Sequence, residues 1–118
     1  MIFVTGPLFA GKQEYIMQVL GWDEEEFETS AVRDVQNLAA DLDIEQLPAL
    51  ADRLAEKKVV IATEIGGGVV PVDPAERRDR EAAGRLACLL AGRADTVIRV
   101  YCGLPRFLKG EEAFKQYG

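Results

Sequence analysis

Near the start of the chain, Gly6-Pro7-Leu8-Phe9-Ala10-Gly11-Lys12 has the spacing G-x-x-x-x-G-K. Such a loop does chemistry when it leaves a strand and opens a helix. Its backbone N–H groups then form a concave anion site, the helix N-terminus adds a favourable dipole, and the lysine meets β and γ phosphates. Here Ile2-Phe3-Val4-Thr5 precedes the loop as a β-prone apolar run, and the residues from Gly11 to Leu20 read as a helix. One position departs from the pattern. Where the motif has a Ser or Thr whose hydroxyl binds Mg²⁺, this chain has Gln13. The candidate phosphate site is Gly6, Pro7, Leu8, Phe9, Ala10, Gly11, Lys12 and Gln13, with Lys12 as its catalytic group. A glycine turn carrying an unrelated lysine is the plainer alternative.

A second constellation is Glu64-Ile65-Gly66-Gly67-Gly68-Val69-Val70-Pro71, followed by Arg77, Arg78, Arg80 and Arg85. Consecutive glycines permit close backbone approach to a ligand, and equally a turn with no ligand. The four arginines fall within about half of a helix circumference at 100° per residue. They fit an anion-facing patch or a solvated, salt-bridged face. Candidate substrate-binding residues from this segment are Glu64, Gly66, Gly67, Gly68, Arg80 and Arg85. The acidic run Asp23-Glu24-Glu25-Glu26 with Glu28 reads as a solvated loop.

The elements that must hold these groups alternate in kind. After the first strand and a helix ended by Gly21, Ala31-Val32 fits a short strand or the start of a helix. Asp43 through Glu56 has helical spacing, with Pro48 in its first turn. Lys58 to Thr63 is the strongest strand, and Val59, Val60 and Ile61 belong to the core. Pro74 to about Ala91 is a long helix capped by Asp73, with i,i+4 pairs Glu76–Arg80, Arg77–Glu81 and Glu81–Arg85. Thr96 to Cys102 is a further strand, with Val97 and Val100 in the core. The tail from Lys109 to Gly118 is polar, with the pattern of a frayed helix. Strands separated by helices of this length indicate parallel crossovers and an α/β fold with a mostly parallel sheet of about three or four strands. In such sheets ligands bind at the carboxyl ends of the strands. The whole chain, 1–118, reads as one domain.

Composition excludes other classes. Residues are 48% hydrophobic and 29% charged, which is globular rather than disordered. A net charge of −6 opposes general nucleic-acid binding. The chain has no histidine, so no step can use one. Cys88 and Cys102 read as two buried thiols in a reducing compartment. No apolar run reaches the ~20 residues of a membrane span, and the N-terminus lacks the basic and long apolar regions of a signal peptide. The expectation is a cytoplasmic protein that binds neither membrane nor nucleic acid.

From Lys58 to Lys109 the sequence resembles the adenosylcobinamide kinase/adenosylcobinamide-phosphate guanylyltransferase family of cobalamin biosynthesis. The resemblance rests on Val59-Val60-Ile61, on Glu64-Ile65-Gly66-Gly67-Gly68-Val69-Val70-Pro71, and on Arg80-Glu81-Ala82-Ala83-Gly84-Arg85. It continues through Ala94-Asp95-Thr96-Val97 and Gly103-Leu104-Pro105 to Leu108-Lys109, and Val4-Thr5-Gly6 with Gly11-Lys12 match the family's P-loop. It implies a P-loop, RecA-like three-layer domain, ATP or GTP bound with Mg²⁺ by Gly6 through Lys12, a corrinoid substrate, and homo-oligomers. Asp34, after Ala31-Val32-Arg33, is the candidate for the family's Walker-B-like acid as an outer-sphere Mg²⁺ ligand, and equally fits a surface or cap aspartate; a dedicated protein metal site is not expected.

The departures from the family bear on catalysis. Members phosphorylate adenosylcobinamide and then transfer GMP through a guanylyl-histidine, and this chain has no histidine. The chain is also shorter than the family between the first helix and Lys58, where that histidine belongs. Family Asn-Gln is Ala87-Cys88 here, and the family Asp is Glu81. Two readings stay open: a nucleotide-binding kinase relative without the guanylyltransferase step, or a non-catalytic paralogue serving as a nucleotide-binding or assembly subunit. A structural domain without a ligand is a third.

Overall fold

The computed structural model describes residues 1–65 and 73–115. Strand β1 (Ile2–Gly6) leads through the loop 7–11 into helix α1 (Lys12–Leu20). Gly21 closes that helix in the left-handed conformation (φ 68°), its N–H donating to the Met17 carbonyl. There follow α2 (Glu24–Ser30), β2 (Ala31–Val32), α3 (Gln36–Ala39), a 3₁₀ turn (Ile44–Gln46) and α4 (Leu47–Leu54). The chain then forms β3 (Val59–Thr63), α5 (Pro74–Arg93), β4 (Thr96–Tyr101), β5 (Leu104–Lys109) and α6 (Glu111–Lys115).

The sheet has five strands in the order β2-β3-β1-β4-β5. The first four are mutually parallel and β5 runs antiparallel to β4. Parallel strands covered on both faces need apolar residues on both, and this explains the uninterrupted runs. Phe3, Val60, Ala62 and Val97 face a cluster completed by Leu47, Leu50, Leu86 and Leu90 of α4 and α5. Ile2, Val4, Val59, Ile61, Ile98 and Val100 face the other cluster, with Ile16, Phe27 and Phe114 of α1, α2 and α6. Val59, Val60, Ile61, Val97 and Val100 are all buried, as their sequence runs predict.

Several expectations are corrected. The sheet has five strands, because the chain turns back after Tyr101 on the two-residue turn Cys102-Gly103, where both residues have positive φ (53° and 73°). Such turns match the twist of paired strands. The acidic run is helix α2: Asp23 accepts from the Glu26 N–H at 2.8 Å, the Glu26 side chain reaches back to the Asp23 N–H, and buried Phe27 anchors the turn. Glutamates in that first turn also complement the helix dipole. Ala31-Val32 is a strand, paired with Val59 and Val60. The single helix expected from Asp43 to Glu56 divides into the 3₁₀ turn and α4. Of the three expected pairs on α5, only Glu81–Arg85 closes, at 2.9 Å. Both cysteines are exposed rather than buried: Cys88 lies on the outer face of α5 and Cys102 at a turn tip.

Candidate functional site

Four parallel strands put four connections at one sheet edge: the loop 7–11, Arg33-Asp34 after β2, Glu64-Ile65 after β3, and the turn Cys102-Gly103 after β4. This is the edge where ligands bind in open α/β sheets. Backbone contacts lock these pieces together. The Gly6 carbonyl accepts from the Glu64 N–H at 2.9 Å, and the Ala10 carbonyl accepts from the Gly103 N–H at 2.8 Å. Gly6 has φ 153°, and a Cβ there would run into the Val100 carbonyl oxygen, so β4 passes the loop at a distance only glycine permits. Gly11, at φ 84°, turns the chain into the first residue of α1.

Lys12 is buried at 8% exposure. Its Nζ curls back under the loop and donates to the carbonyls of Pro7 at 2.7 Å and Gly6 at 3.3 Å. Burial pushes the amine below its ordinary range, while the charges of Asp34, Glu64 and Glu14 favour its protonated form. The loop therefore carries a desolvated cation at its floor and, at its tip, two outward apolar side chains, Leu8 and Phe9; Phe9 is 94% exposed at φ 59°.

Glu64 stands beside this lysine. Arg99 reaches across the central strand and holds it in a two-pronged pair, Nε to Oε1 at 2.7 Å and Nη2 to Oε2 at 2.9 Å. That hydrogen-bonded guanidinium holds the Glu64 carboxyl below the usual carboxylate range, with a smaller contribution from Lys12. Asp34 follows β2 in the left-handed region (φ 57°), its charge felt at Lys12. Gln36, nearly buried, accepts the Thr63 N–H at 2.9 Å and fixes the end of β3.

Gln13 departs from the motif in a structurally specific way. Its amide N donates to Met17 Sδ at 3.6 Å, and its amide oxygen accepts from Arg33 Nη1 at 2.6 Å. The one atom at this position able to replace a hydroxyl as a cation ligand is thus already paired with a guanidinium. The donor set at this position does not fit Mg²⁺, which takes hard oxygen ligands and not a site holding a fixed positive group.

The structure thus brings together Gly6 through Gln13, Asp34 and Glu64. Gly66, Gly67 and Gly68 lie outside the described residues. Arg80 lines a cleft with Gln36, Asn37, Ala40 and Ile65, next to the edge. Arg85 does not reach that edge: it binds Glu81 and shares with Arg80 a groove lined by Ile44, Leu47, Pro48 and Cys88. Arg33, Arg99 and the Cys102-Gly103 turn belong to the site and were not read from the sequence. Arg99 left one signal, a charge inside the apolar run Val97–Val100. The pairing of Arg33 with Gln13 left none.

No helix among the described residues is long and apolar enough to cross a membrane. Comparison with curated proteins finds no match. A family model, cobinamide kinase / cobinamide phosphate guanyltransferase, matches residues 20–108. That range contains Asp34, Glu64, Arg80, Arg85 and Arg99 and begins beyond the loop 6–13. It spans three quarters of the 118 residues, and the chain belongs to the cobinamide kinase / cobinamide phosphate guanyltransferase (CobU) family of cobalamin biosynthesis.

Proposed function

We propose that the chain is a P-loop domain that binds ATP or GTP at Gly6 through Gln13 and acts, as a kinase-like family member, on the hydroxyl of a corrinoid. The observation that carries this reading is Lys12, a desolvated cation at the base of a strand–loop–helix turn, beside Asp34 and Glu64. A cation with little water around it acts strongly on an arriving phosphate. On binding, the Lys12 ammonium exchanges the Pro7 and Gly6 carbonyls for phosphate oxygens, while the free N–H groups of the first turn of α1 hold the same anion. Transfer breaks the bond from the γ-phosphorus to the bridging oxygen, which leaves with the nucleoside diphosphate, and forms one to the acceptor hydroxyl oxygen, whose proton passes to solvent. Positioning and charge carry most of that step.

Glu64 is held ionised by Arg99, so it is a weak base, and its role is to keep Lys12 protonated and the end of β3 in place. Asp34 is the larger counter-charge to Lys12, ahead of Glu64, in preference to the metal-facing role the resemblance implies. Arg80, in the cleft beside Ile65, is the candidate contact to substrate. Guanylyl transfer through histidine is absent from this proposal because the chain has none. We place the protein in the cytoplasm on its sequence pattern, and as a homo-oligomer by family resemblance.

A second reading is favoured by Gln13: a subunit that binds nucleotide but does not turn it over. Steady-state ATP and GTP hydrolysis with and without cobinamide separates the two. The kinase reading expects phosphorylated cobinamide to accumulate; nucleotide-dependent thermal stabilisation without product supports the subunit.

A further inference from the structure

We propose that Arg33 takes the place of a divalent cation at the phosphate loop, so that this chain binds nucleotide phosphates without requiring a metal ion. The inference rests on the nucleotide-binding reading above and goes beyond it by naming the group that replaces the metal. Three observations carry it. Gln13 occupies the position whose hydroxyl would hold the cation, and both ends of its amide are engaged, by Met17 Sδ and by Arg33. Arg33 leaves β2 at the same sheet edge as the loop, one residue before Asp34, whose charge acts on Lys12. The Arg33 side chain is 54% exposed, and among the described residues its guanidinium has, beyond the bond to Gln13, a distant pairing with Glu28 at 4.0 Å.

A guanidinium has five N–H donors in a planar fork that matches phosphate oxygens two at a time. Gln13 takes one donor of Nη1 and fixes the plane of the fork, Nη2 faces Glu28 Oε1 at 4.0 Å, and the guanidinium is accessible from solvent. Arginine also stays charged at any physiological pH, so the positive charge is permanent where a metal's is conditional on supply. Lys12 from below and Arg33 from the α1 side then hold the phosphates between two fixed cations.

The test is titration calorimetry of ATP and of GTP into the full chain, in Mg²⁺ and in EDTA. Wild-type affinity is expected to change by less than about threefold between the two buffers. Arg33→Ala should weaken binding in EDTA by about tenfold or more, the scale of one charge-assisted hydrogen bond. Arg33→Lys, which keeps the charge and loses the fork, should fall between them. Adding Gln13→Ser to Arg33→Ala restores the hydroxyl and removes the competing guanidinium, so binding should then strengthen on adding Mg²⁺. Wild-type binding that drops tenfold or more in EDTA overturns the inference and leaves the nucleotide reading intact, an arm that needs no variant. Arg33→Ala affinity equal to wild type in EDTA overturns it equally. No binding of either nucleotide in either buffer overturns both.

Discussion

At the scale of single residues, the loop between β1 and α1 is held by groups that tolerate little change. Gly6→Ala would place a Cβ against the Val100 carbonyl at a φ that side chains avoid. Strain of about 1–3 kcal/mol for the backbone adds to overpacking of similar size. We expect Gly6→Ala to lower unfolding free energy by at least about 2 kcal/mol in urea titrations, while an alanine at Gly84, which has open space around it, has no such effect. Glu64 gives a pH test. Its folded pKa lies below the unfolded value, so the pair with Arg99 stabilises the fold above the unfolded carboxylate pKa and stops doing so as pH falls through the folded one. Wild type should therefore be more stable than Glu64→Gln at pH 7, with the gap narrowing as pH falls below the ordinary carboxylate range. The loop's letters were legible in the sequence because glycine spacing and a following lysine encode backbone shape directly. The Glu64–Arg99 and Gln13–Arg33 pairs were not, because each joins residues 20 or more positions apart and depends on strand order.

At the scale of elements, what sequence shows best is a strand buried on both faces. Val59-Val60-Ile61 and Val97 to Val100 are legible because both faces demand apolar side chains. Ile61→Ala should cost about 2–5 kcal/mol, read from chemical denaturation; Ile61 is 3% exposed and packs beside Ile16 and Phe27. β5 hides because it is an edge strand with Pro105 and Arg106 in it, and its inward residue Phe107 packs on Phe114 at 5.1 Å between ring centres. Helix α2 hides because a run of acidic residues looks like solvated loop until Asp23 and Glu26 are seen as a capping box. Asp23→Ala should destabilise by about 0.5–2 kcal/mol, and Asp23→Asn, which keeps the accepting oxygen, by much less. A cost for Asp23→Ala indistinguishable from zero would mean that α2 is held by Phe27 alone.

At the scale of the whole molecule, the net charge of −6 opposes an anionic ligand at long range, and the proposed phosphate site would have to overcome that field locally. Screening confines it to about 8–10 Å at physiological salt, whereas Lys12 and the loop amides act at contact. The family was legible because Glu64 to Pro71 and Arg80 to Arg85 are specific, and the matched range includes them. The chemistry was less so, since the loop that defines it lies outside that range and carries Gln13 in place of a hydroxyl. Nucleotide binding at Lys12 is therefore the point on which everything else depends. It is tested most directly by titration calorimetry of ATP and GTP against wild type and Lys12→Ala. Saturable binding by wild type, weakened in Lys12→Ala by about 1.5–3 kcal/mol, is the predicted result. Equal affinity in the two proteins, or no binding by wild type at millimolar nucleotide, would contradict it.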